Sequence, residues 1–136
     1  DRRLAFEDLP CAGAIAVFSE ARDLLDVVVN YARFFAHESC GFCTPCRVGT
    51  HVAVRSLDKL RVGRGSQTEL QELATLTRLL RDTSHCGLGS TAPNAWRHYL
   101  DKFGLDATRR LSATFQPAFD VDASLQGARA SRGDES

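Results

Sequence analysis

Residues 38–50 have the sequence ESCGFCTPCRVGT, in which Cys40, Cys43 and Cys46 are spaced three positions apart. A fourth cysteine, Cys86, follows after 39 intervening residues. Thiolates are the usual ligands of iron–sulfur clusters, and a C-x-x-C-x-x-C loop suits three corners of one cubane. The distant cysteine then supplies the fourth corner. The pattern predicts one [4Fe–4S] cluster that is ligated by these four cysteines and holds the ends of three helices together.

Other chemistries are compatible with these cysteines. A structural zinc ion would make the chain an interaction module without a redox role, although zinc sites usually pair two separate C-x-x-C knuckles. Disulfides are disfavoured because the chain has five cysteines, an odd number, and no secretory signal. A nucleophilic Cys46 beside a histidine would leave the other three ligand candidates without a purpose. We favour the cluster and keep zinc as the alternative.

The residues around the cysteines are suited to an anionic cluster. Residues 43–46 lie where a helix is predicted to begin, so free N–H groups and the positive end of the helix dipole face the site. Arg47 adds a positive charge beside the third cysteine. Gly41, Gly87 and Gly89 allow the backbone to come close enough for N–H to sulfur hydrogen bonds, which raise a reduction potential.

The sequence says less about the roles of three further residues. His85, next to Cys86, is a candidate hydrogen-bond donor to cluster sulfur, and Phe42 is interpreted as a hydrophobic shield against solvent. Cys11 lies outside the pattern and is expected to be a small buried apolar residue. The remaining histidines are expected to be solvated or to cap helices: His37, His51 and His98.

Composition excludes several classes of protein. The 136 residues, 43% hydrophobic and 25% charged, suffice for one globular domain with a core. Lys plus Arg and Asp plus Glu number 17 each, so no broad basic field recruits nucleic acid or an anionic membrane. No apolar run approaches the roughly 18 residues of a membrane span, and no secretory signal begins the sequence. We therefore expect a cytoplasmic protein.

Hydrophobic periodicity predicts one strand and four helices. Residues 12–18 form a short apolar run that is typical of a buried strand. Helices are expected from Glu20, capped by Ser19, to His37; from Pro45 to Arg61; from the capping box Ser66–Glu69 to about Arg81; and from a cap at Ser90 or Thr91 to Phe103, with Gly104 as the stop.

The predicted apolar faces indicate which sides of the helices are buried. The expected stripes are Leu24, Val28, Tyr31 and Phe35, widened by Leu25 and Ala32, on the first helix; Leu70, Leu73, Leu76 or Thr77, and Leu80 on the third; and Trp96, Tyr99, Leu100 and Phe103 on the fourth. Val27, Val29 and Phe34 make the first helix apolar on further faces, so we expect it to be covered on more than one side.

The predicted fold class is mostly α, with a small four-helix iron–sulfur domain over residues 19–104. A lone strand cannot satisfy its own edges, so residues 1–18 are interpreted as a strand segment left over from an upstream domain. Residues 105–136 are expected to form an extended and partly disordered tail, in which Phe115, Phe119 and Val121 could pack as a strip.

The motifs resemble a known family. The chain is similar to the iron–sulfur region of NADH-binding flavoprotein subunits in three motifs. They are ESCGFCTPCRVGT, the lone cysteine of HCGLG about forty positions further along, and the preceding stretch ARFFAHESCG. That family includes the flavoprotein subunit of respiratory complex I, the diaphorase large subunit of soluble NAD-reducing nickel–iron hydrogenases, and NAD-dependent formate dehydrogenases. The resemblance covers residues 5–104, and EDLPCAGA and RDTSHCGLGSTAP are more similar to the hydrogenase diaphorase.

The resemblance implies a division of labour. An upstream domain would bind FMN and NAD(H), and the cubane would take electrons from the flavin singly and pass them to other iron–sulfur subunits. By position, Cys40, Cys43, Cys46 and Cys86 match the cluster ligands. No glycine-rich nucleotide loop follows a strand, so the flavin and nicotinamide residues have no counterpart and no catalytic residue is expected. The charged start without Met favours a fragment of a larger oxidoreductase subunit.

Overall fold

The computed structural model describes residues 15–112, 125–126 and 129–131, and it is mostly helical. Residues 15–112 contain the helices α1 (Leu24–His37), α2 (Thr44–Arg61), α3 (Gln67–Thr83), α4 (Gly87–Thr91) and α5 (Asn94–Arg109). The predicted fold class, a small and mostly helical domain, is confirmed. In the part of the chain that is described, no helix combines the length and the apolar character that a bilayer crossing requires.

The chain enters α1 differently from the prediction. Residues 15–19 have no regular secondary structure, while Cys11 and residues 12–14 of the expected strand lie outside the described residues. Ser19 was predicted to cap the helix, but its hydroxyl accepts the Ala21 N–H in a turn at 3.3 Å. Asp23 is the actual N-cap and accepts the Leu25 N–H at 2.9 Å, so α1 begins four residues later than expected.

The buried face of α1 is rotated from the predicted stripe. Val29 and Ala32 are both 1% exposed, whereas Tyr31 is 44% exposed. α1 packs mainly against α2, and two small side chains, Ala32 and Ala36, belong to its buried face. The complete buried set is Leu25, Val28, Val29, Ala32 and Ala36. Of the three residues predicted to make further faces apolar, Val29 is buried and Val27 is half-buried, while Phe34 is 55% exposed. The expected cover on more than one side is therefore found at Val29 and not at Phe34.

The second and third helices match the sequence closely. α2 starts with Pro45 in its first turn and ends at Arg61, as predicted. The capping box that opens α3 is present: Ser66 Oγ accepts the Glu69 N–H at 3.2 Å, and the Glu69 carboxylate accepts the Ser66 N–H at 2.9 Å. α3 continues two residues past the expected end, to Thr83.

The predicted start of the last helix is wrong. Neither Ser90 nor Thr91 caps it, because both hydroxyls donate back to the Gly87 carbonyl oxygen inside α4, at 3.3 and 2.6 Å. The chain then turns at Ala92, and Pro93 is the N-cap of α5. Proline cannot continue the preceding helix, since it lacks an N–H and its ring crowds the turn before it. One predicted helix is therefore two.

The predicted stop at Gly104 is a bend instead of an end. Phe103 has non-helical angles, φ −124° and ψ 30°, and the helix resumes until Arg109. The bend is bridged by the Tyr99 hydroxyl, which donates to Asp106 Oδ2 at 2.5 Å. This contact fixes the direction of the last turn and a half of α5.

The core lies between α1, α2, α3 and α5 and surrounds Trp96. The indole Nε1 donates to Thr77 Oγ1 at 2.9 Å, and that hydroxyl donates to the Leu73 carbonyl at 2.8 Å. Both polar groups are thus satisfied where water is excluded. Other fully buried side chains around them are Leu25, Leu57, Leu60, Leu73 and Leu80.

The end of α5 returns to the start of α1. Arg110 makes two hydrogen bonds with the Asp23 carboxylate, at 2.9 and 3.0 Å, and a third with Asp106 at 3.1 Å. Leu111 then pairs with Gly65 in an isolated parallel bridge. The predicted strip of Phe115, Phe119 and Val121 lies outside the described residues.

Candidate metal centre

The four candidate ligand cysteines lie at the ends of helices. Cys40 is in the loop after α1, Cys43 is the N-cap of α2, and Cys46 lies in the first turn of α2. Cys86 is the N-cap of the short helix α4. Because α4 packs against α2 and α3, the remote cysteine is brought to the triple-cysteine loop.

One cavity of about 370 Å³ joins the four thiols. Its lining is Glu38, Ser39, Cys40, Phe42, Cys43, Cys46, His85, Cys86 and Leu88. Within residues 15–112 and the short described segments beyond, no three His, Cys, Asp or Glu side chains converge tightly enough to hold a single metal ion. Four thiol donors around a largely apolar space of this volume fit a cubane cluster, with one cysteine available for each iron.

The thiols differ in their access to solvent. Cys46 is only 5% exposed and forms the floor of the cavity. Cys43 is half-buried, while Cys40 and Cys86 are exposed. The cavity therefore opens to the protein surface on the side of Cys40 and Cys86.

The triple-cysteine loop is held in shape by Gly41 and Arg47. Gly41 has φ +79°, a left-handed conformation that side chains other than glycine rarely adopt. Arg47 Nη1 donates to the Gly41 carbonyl oxygen at 2.6 Å. The arginine predicted to be a positive charge beside the third cysteine thus also ties the base of the loop to α2.

The pKa of the Cys43 thiol is lowered from its ordinary value. The main causes are the backbone N–H groups of His85 and Cys46, which favour the thiolate, and the charge of Arg47 adds to them. Backbone from both cysteine-bearing segments therefore favours a negative sulfur here.

Gly89 lets α4 come close to α2. A Cβ at this position would lie 2.5 Å from Ser84 Oγ and 3.0 Å from Cys46 Cβ, so any larger residue would push the two segments apart. The Ser84 hydroxyl is buried and has no hydrogen-bond partner among the described residues. Gly89 is thus required by packing, while Gly87 has nothing within 4 Å of its Cβ position. The N–H to sulfur hydrogen bonds expected from these glycines stay a prediction.

Ser39 and Ser84 were not identified from the sequence. Ser39 Oγ lies 3.2 Å from Cys46 Sγ, seven positions along the chain. The only sequence signal was the position of each serine next to, or two before, a candidate ligand. Serine is too common in loops for that position to indicate a role.

Phe42 and His85 form one wall of the cavity. Their ring centroids are 5.3 Å apart with the planes tilted by 55°. Phe42 is 74% exposed, so it lies at the edge between the cavity and solvent, where a shield would lie. A hydrogen bond from the His85 ring to cluster sulfur remains a prediction. The other histidines, His37, His51 and His98, are exposed.

Comparison with known proteins identifies the family of this chain. Residues 26–110 match the family model described as the NADH-ubiquinone oxidoreductase-F iron-sulfur binding region. NAD-reducing hydrogenase HoxS subunit alpha from Cupriavidus necator is 38% identical over 130 residues, which cover 93% of this chain and 22% of that protein. In Aquifex aeolicus, an NADH-quinone oxidoreductase subunit is 35% identical over 91 residues, covering 67% of this chain and 21% of that protein.

A solved structure is also similar. The crystal structure of an NAD+-reducing [NiFe]-hydrogenase in the H2-reduced state matches with a TM-score of 0.85 and 42% identity, over 98% of this chain and 24% of that chain. The present chain spans less than a quarter of the length of each of these proteins. The resemblance noted from the cysteine motifs is confirmed, and the chain belongs to the family of the NADH-ubiquinone oxidoreductase-F iron-sulfur binding region.

Proposed function

We propose that Cys40, Cys43, Cys46 and Cys86 hold one [4Fe–4S] cluster and that the chain transfers single electrons within an NAD(H)-linked oxidoreductase complex. The observation that carries the proposal is that the four cysteines line one cavity of about 370 Å³. Membership of an iron–sulfur binding family supports it independently. A cubane with thiolate ligands accepts and donates one electron at a time.

The chain's own residues would bind the cluster and control its surroundings. The N–H groups of His85 and Cys46 stabilise negative charge on the Cys43 sulfur. Phe42 and Leu88 line the cavity with apolar surface, which limits the access of water. N–H groups near sulfur raise the reduction potential of an anionic cluster, whereas low hydration lowers it.

The electron donor and acceptor lie outside this segment in our proposal. FMN and NAD(H) would be bound by an upstream domain, to which residues 1–18 belong, and further iron–sulfur subunits would receive the electrons. The similarity to the alpha subunit of an NAD-reducing hydrogenase over 93% of this chain supports such an assignment. The segment itself would perform no bond chemistry.

Metal analysis of the purified chain tests the cluster assignment. The 136-residue chain is purified or reconstituted without oxygen, and iron, zinc and acid-labile sulfide are counted per chain. We expect about four irons and four sulfides, with a spin-half electron paramagnetic resonance (EPR) signal after reduction by dithionite. Zinc without iron, and no signal after reduction, would contradict the proposal and favour a structural zinc module.

Reduction by flavin tests the electron-transfer role. Oxidised cluster-loaded chain is mixed anaerobically with reduced FMN, and the visible absorbance of the cluster is followed. We expect partial bleaching of that absorbance, together with the same EPR signal that dithionite produces. A cluster that dithionite reduces and reduced flavin leaves oxidised would contradict the assignment of FMN as the donor.

A further inference from the structure

The buried sulfur of Cys46 has a hydroxyl neighbour. Ser39 Oγ lies 3.2 Å from Cys46 Sγ, within the range of a hydrogen bond to sulfur. The same hydroxyl accepts the Gly41 N–H at 3.4 Å. Ser39 thus lies between the backbone of the triple-cysteine loop and the one candidate ligand that is buried.

The direction of the Ser39–Cys46 hydrogen bond depends on the state of the sulfur. In a free thiol, either group could donate. A cysteine that ligates iron is a thiolate and has no proton, so it can only accept. Because Ser39 Oγ already accepts from Gly41 N–H, its own proton is available for the Cys46 sulfur.

Resting on the proposed function, we propose that Ser39 donates a hydrogen bond to the iron-bound thiolate of Cys46 and thereby raises the reduction potential of the cluster. Reduction adds negative charge to the cluster and its ligands. A hydrogen bond to an anionic acceptor is stronger than one to a neutral acceptor, so it stabilises the more negative, reduced state more than the oxidised state. Ser39 is a positioning residue that acts through Cys46.

The place of this bond increases its effect. Cys46 is 5% exposed, so water competes little for its sulfur, and electrostatic interactions are less screened there. Cys40 and Cys86 are exposed, and a single hydroxyl beside either sulfur would compete with solvent. The hydroxyl is therefore located beside the candidate ligand from which water is most excluded.

The test compares Ser39→Ala with a matched serine elsewhere near the site. The full chain and each variant are loaded with cluster, iron is counted, and the potential is measured by redox titration followed with EPR. Ser39→Ala is expected to retain iron and to be harder to reduce, by roughly tenfold in the reduction equilibrium, or about 59 mV. Ser90→Ala is the control, because Ser90 Oγ donates to the Gly87 carbonyl and not to a thiol.

A second measurement detects the proton itself. After exchange into D2O, pulsed EPR of the reduced wild-type protein should show a hyperfine coupling to an exchangeable deuteron that Ser39→Ala lacks. Ser39→Thr keeps a hydroxyl and should restore both the coupling and a potential near that of the wild type. If Ser39→Ala loses iron, the Ser39→Thr variant and the wild-type coupling still test the assignment.

The outcomes separate this inference from the proposed function. A wild-type chain that binds no iron–sulfur cluster overturns both. A loaded wild-type chain whose potential and deuteron coupling are the same as those of loaded Ser39→Ala overturns the role of Ser39 alone. A shift of equal size in Ser90→Ala would also overturn it, since the effect would then not be specific to Cys46.

Discussion

The two ends of α1 are closed in different ways. At its start, the Asp23 carboxylate caps the helix and is held by Arg110, which also binds Asp106. Every partner in that cluster is a side chain or a backbone group of the chain itself. At its end, the helix leads into Cys40 and a cavity that is lined by free thiols. The start of α1 is thus closed by contacts within the chain, whereas its end provides thiols that could ligate a cluster.

This difference separates stability from function in the fold. The core around Trp96 and the ion pairs at Asp23 hold the helices together through contacts within the chain. The cysteine end then depends on those helices for its geometry, since Cys43 and Cys86 are helix N-caps. We expect substitutions at the cysteine end to change iron binding, and substitutions in the core to lower the free energy of unfolding whether or not the cluster is bound.

Cys86→Ser is expected to have the largest effect at the cluster end. It should remove or convert the cluster and lower the free energy of unfolding of the loaded protein by several kcal/mol, because a bound metal site contributes its binding energy to folding. Iron content and urea unfolding measure the two effects. Cys11→Ser is the control and should keep the iron; loss of iron in that variant would show that the ligand assignment is wrong.

Leu57→Ala is expected to have a large effect that does not depend on iron. Leu57 is fully buried, and truncation of such a leucine costs about 2–5 kcal/mol through lost burial and the cavity left behind. The cost, measured by urea unfolding, should be similar with and without cluster. Leu105→Ala, at a side chain that is 79% exposed, is the control. A cost that appears only in the loaded protein would contradict the separation of the two regions.

Gly89→Ala should weaken cluster binding more than the control Gly87→Ala. Both glycines are in α4, but only a Cβ at Gly89 would collide with Ser84 and Cys46. Overpacking of this kind costs about 1–3 kcal/mol, which corresponds to roughly five- to 150-fold weaker retention of iron. Iron loss to a chelator measures it. Equal rates of loss from the two variants would show that the close approach of α4 does not position the ligands.

Arg110→Ala should have the smallest effect and the clearest pH dependence. Burial raises the pKa of Asp23, but the hydrogen bonds from Arg110 and the Leu25 N–H outweigh it and lower the pKa below its ordinary value of 3.8. A lowered carboxyl pKa stabilises the fold above the ordinary value, and this contribution is lost as the pH falls through and below 3.8. Since the pair is partly exposed, we expect a cost of about 1 kcal/mol at neutral pH.

Urea unfolding of wild type and Arg110→Ala at a series of pH values measures that contribution. Comparison at each pH cancels the losses that both proteins share. Arg109→Ala, at the exposed neighbouring arginine, is the control. A difference between wild type and Arg110→Ala that stays constant from neutral pH to pH values below 3.8 would show that the ion pair with Asp23 is not its source.

Local signals in the sequence predicted much of this fold. The capping box at Ser66 and Glu69 needs only residues three apart, and it is present in the structure. The four cysteines lie in two segments of the sequence, and they were predicted to form one site. In the structure they line one cavity. Their binding of iron stays a prediction. Interactions within a few residues are largely independent of the rest of the fold.

Contacts between distant segments explain what was missed. Ser19 and Asp23 are both good caps, and Asp23 has a partner, Arg110, that is 87 positions away. Ser39 meets Cys46 only because the loop reverses at Gly41 with a positive φ. The break at Pro93 is different, because a proline there was a local signal against one continuous helix.

The bend in α5 has a mechanical consequence. Asp106 is bound by Tyr99 on one side of the bend and by Arg110 on the other, so the bend is braced and does not act as a free hinge. Tension that reaches the chain beyond Ser112 would first load the Gly65 pairing and the Arg110–Asp23 contacts. We expect these contacts to break before the buried helices separate, so the cysteine end of α1 would not be displaced.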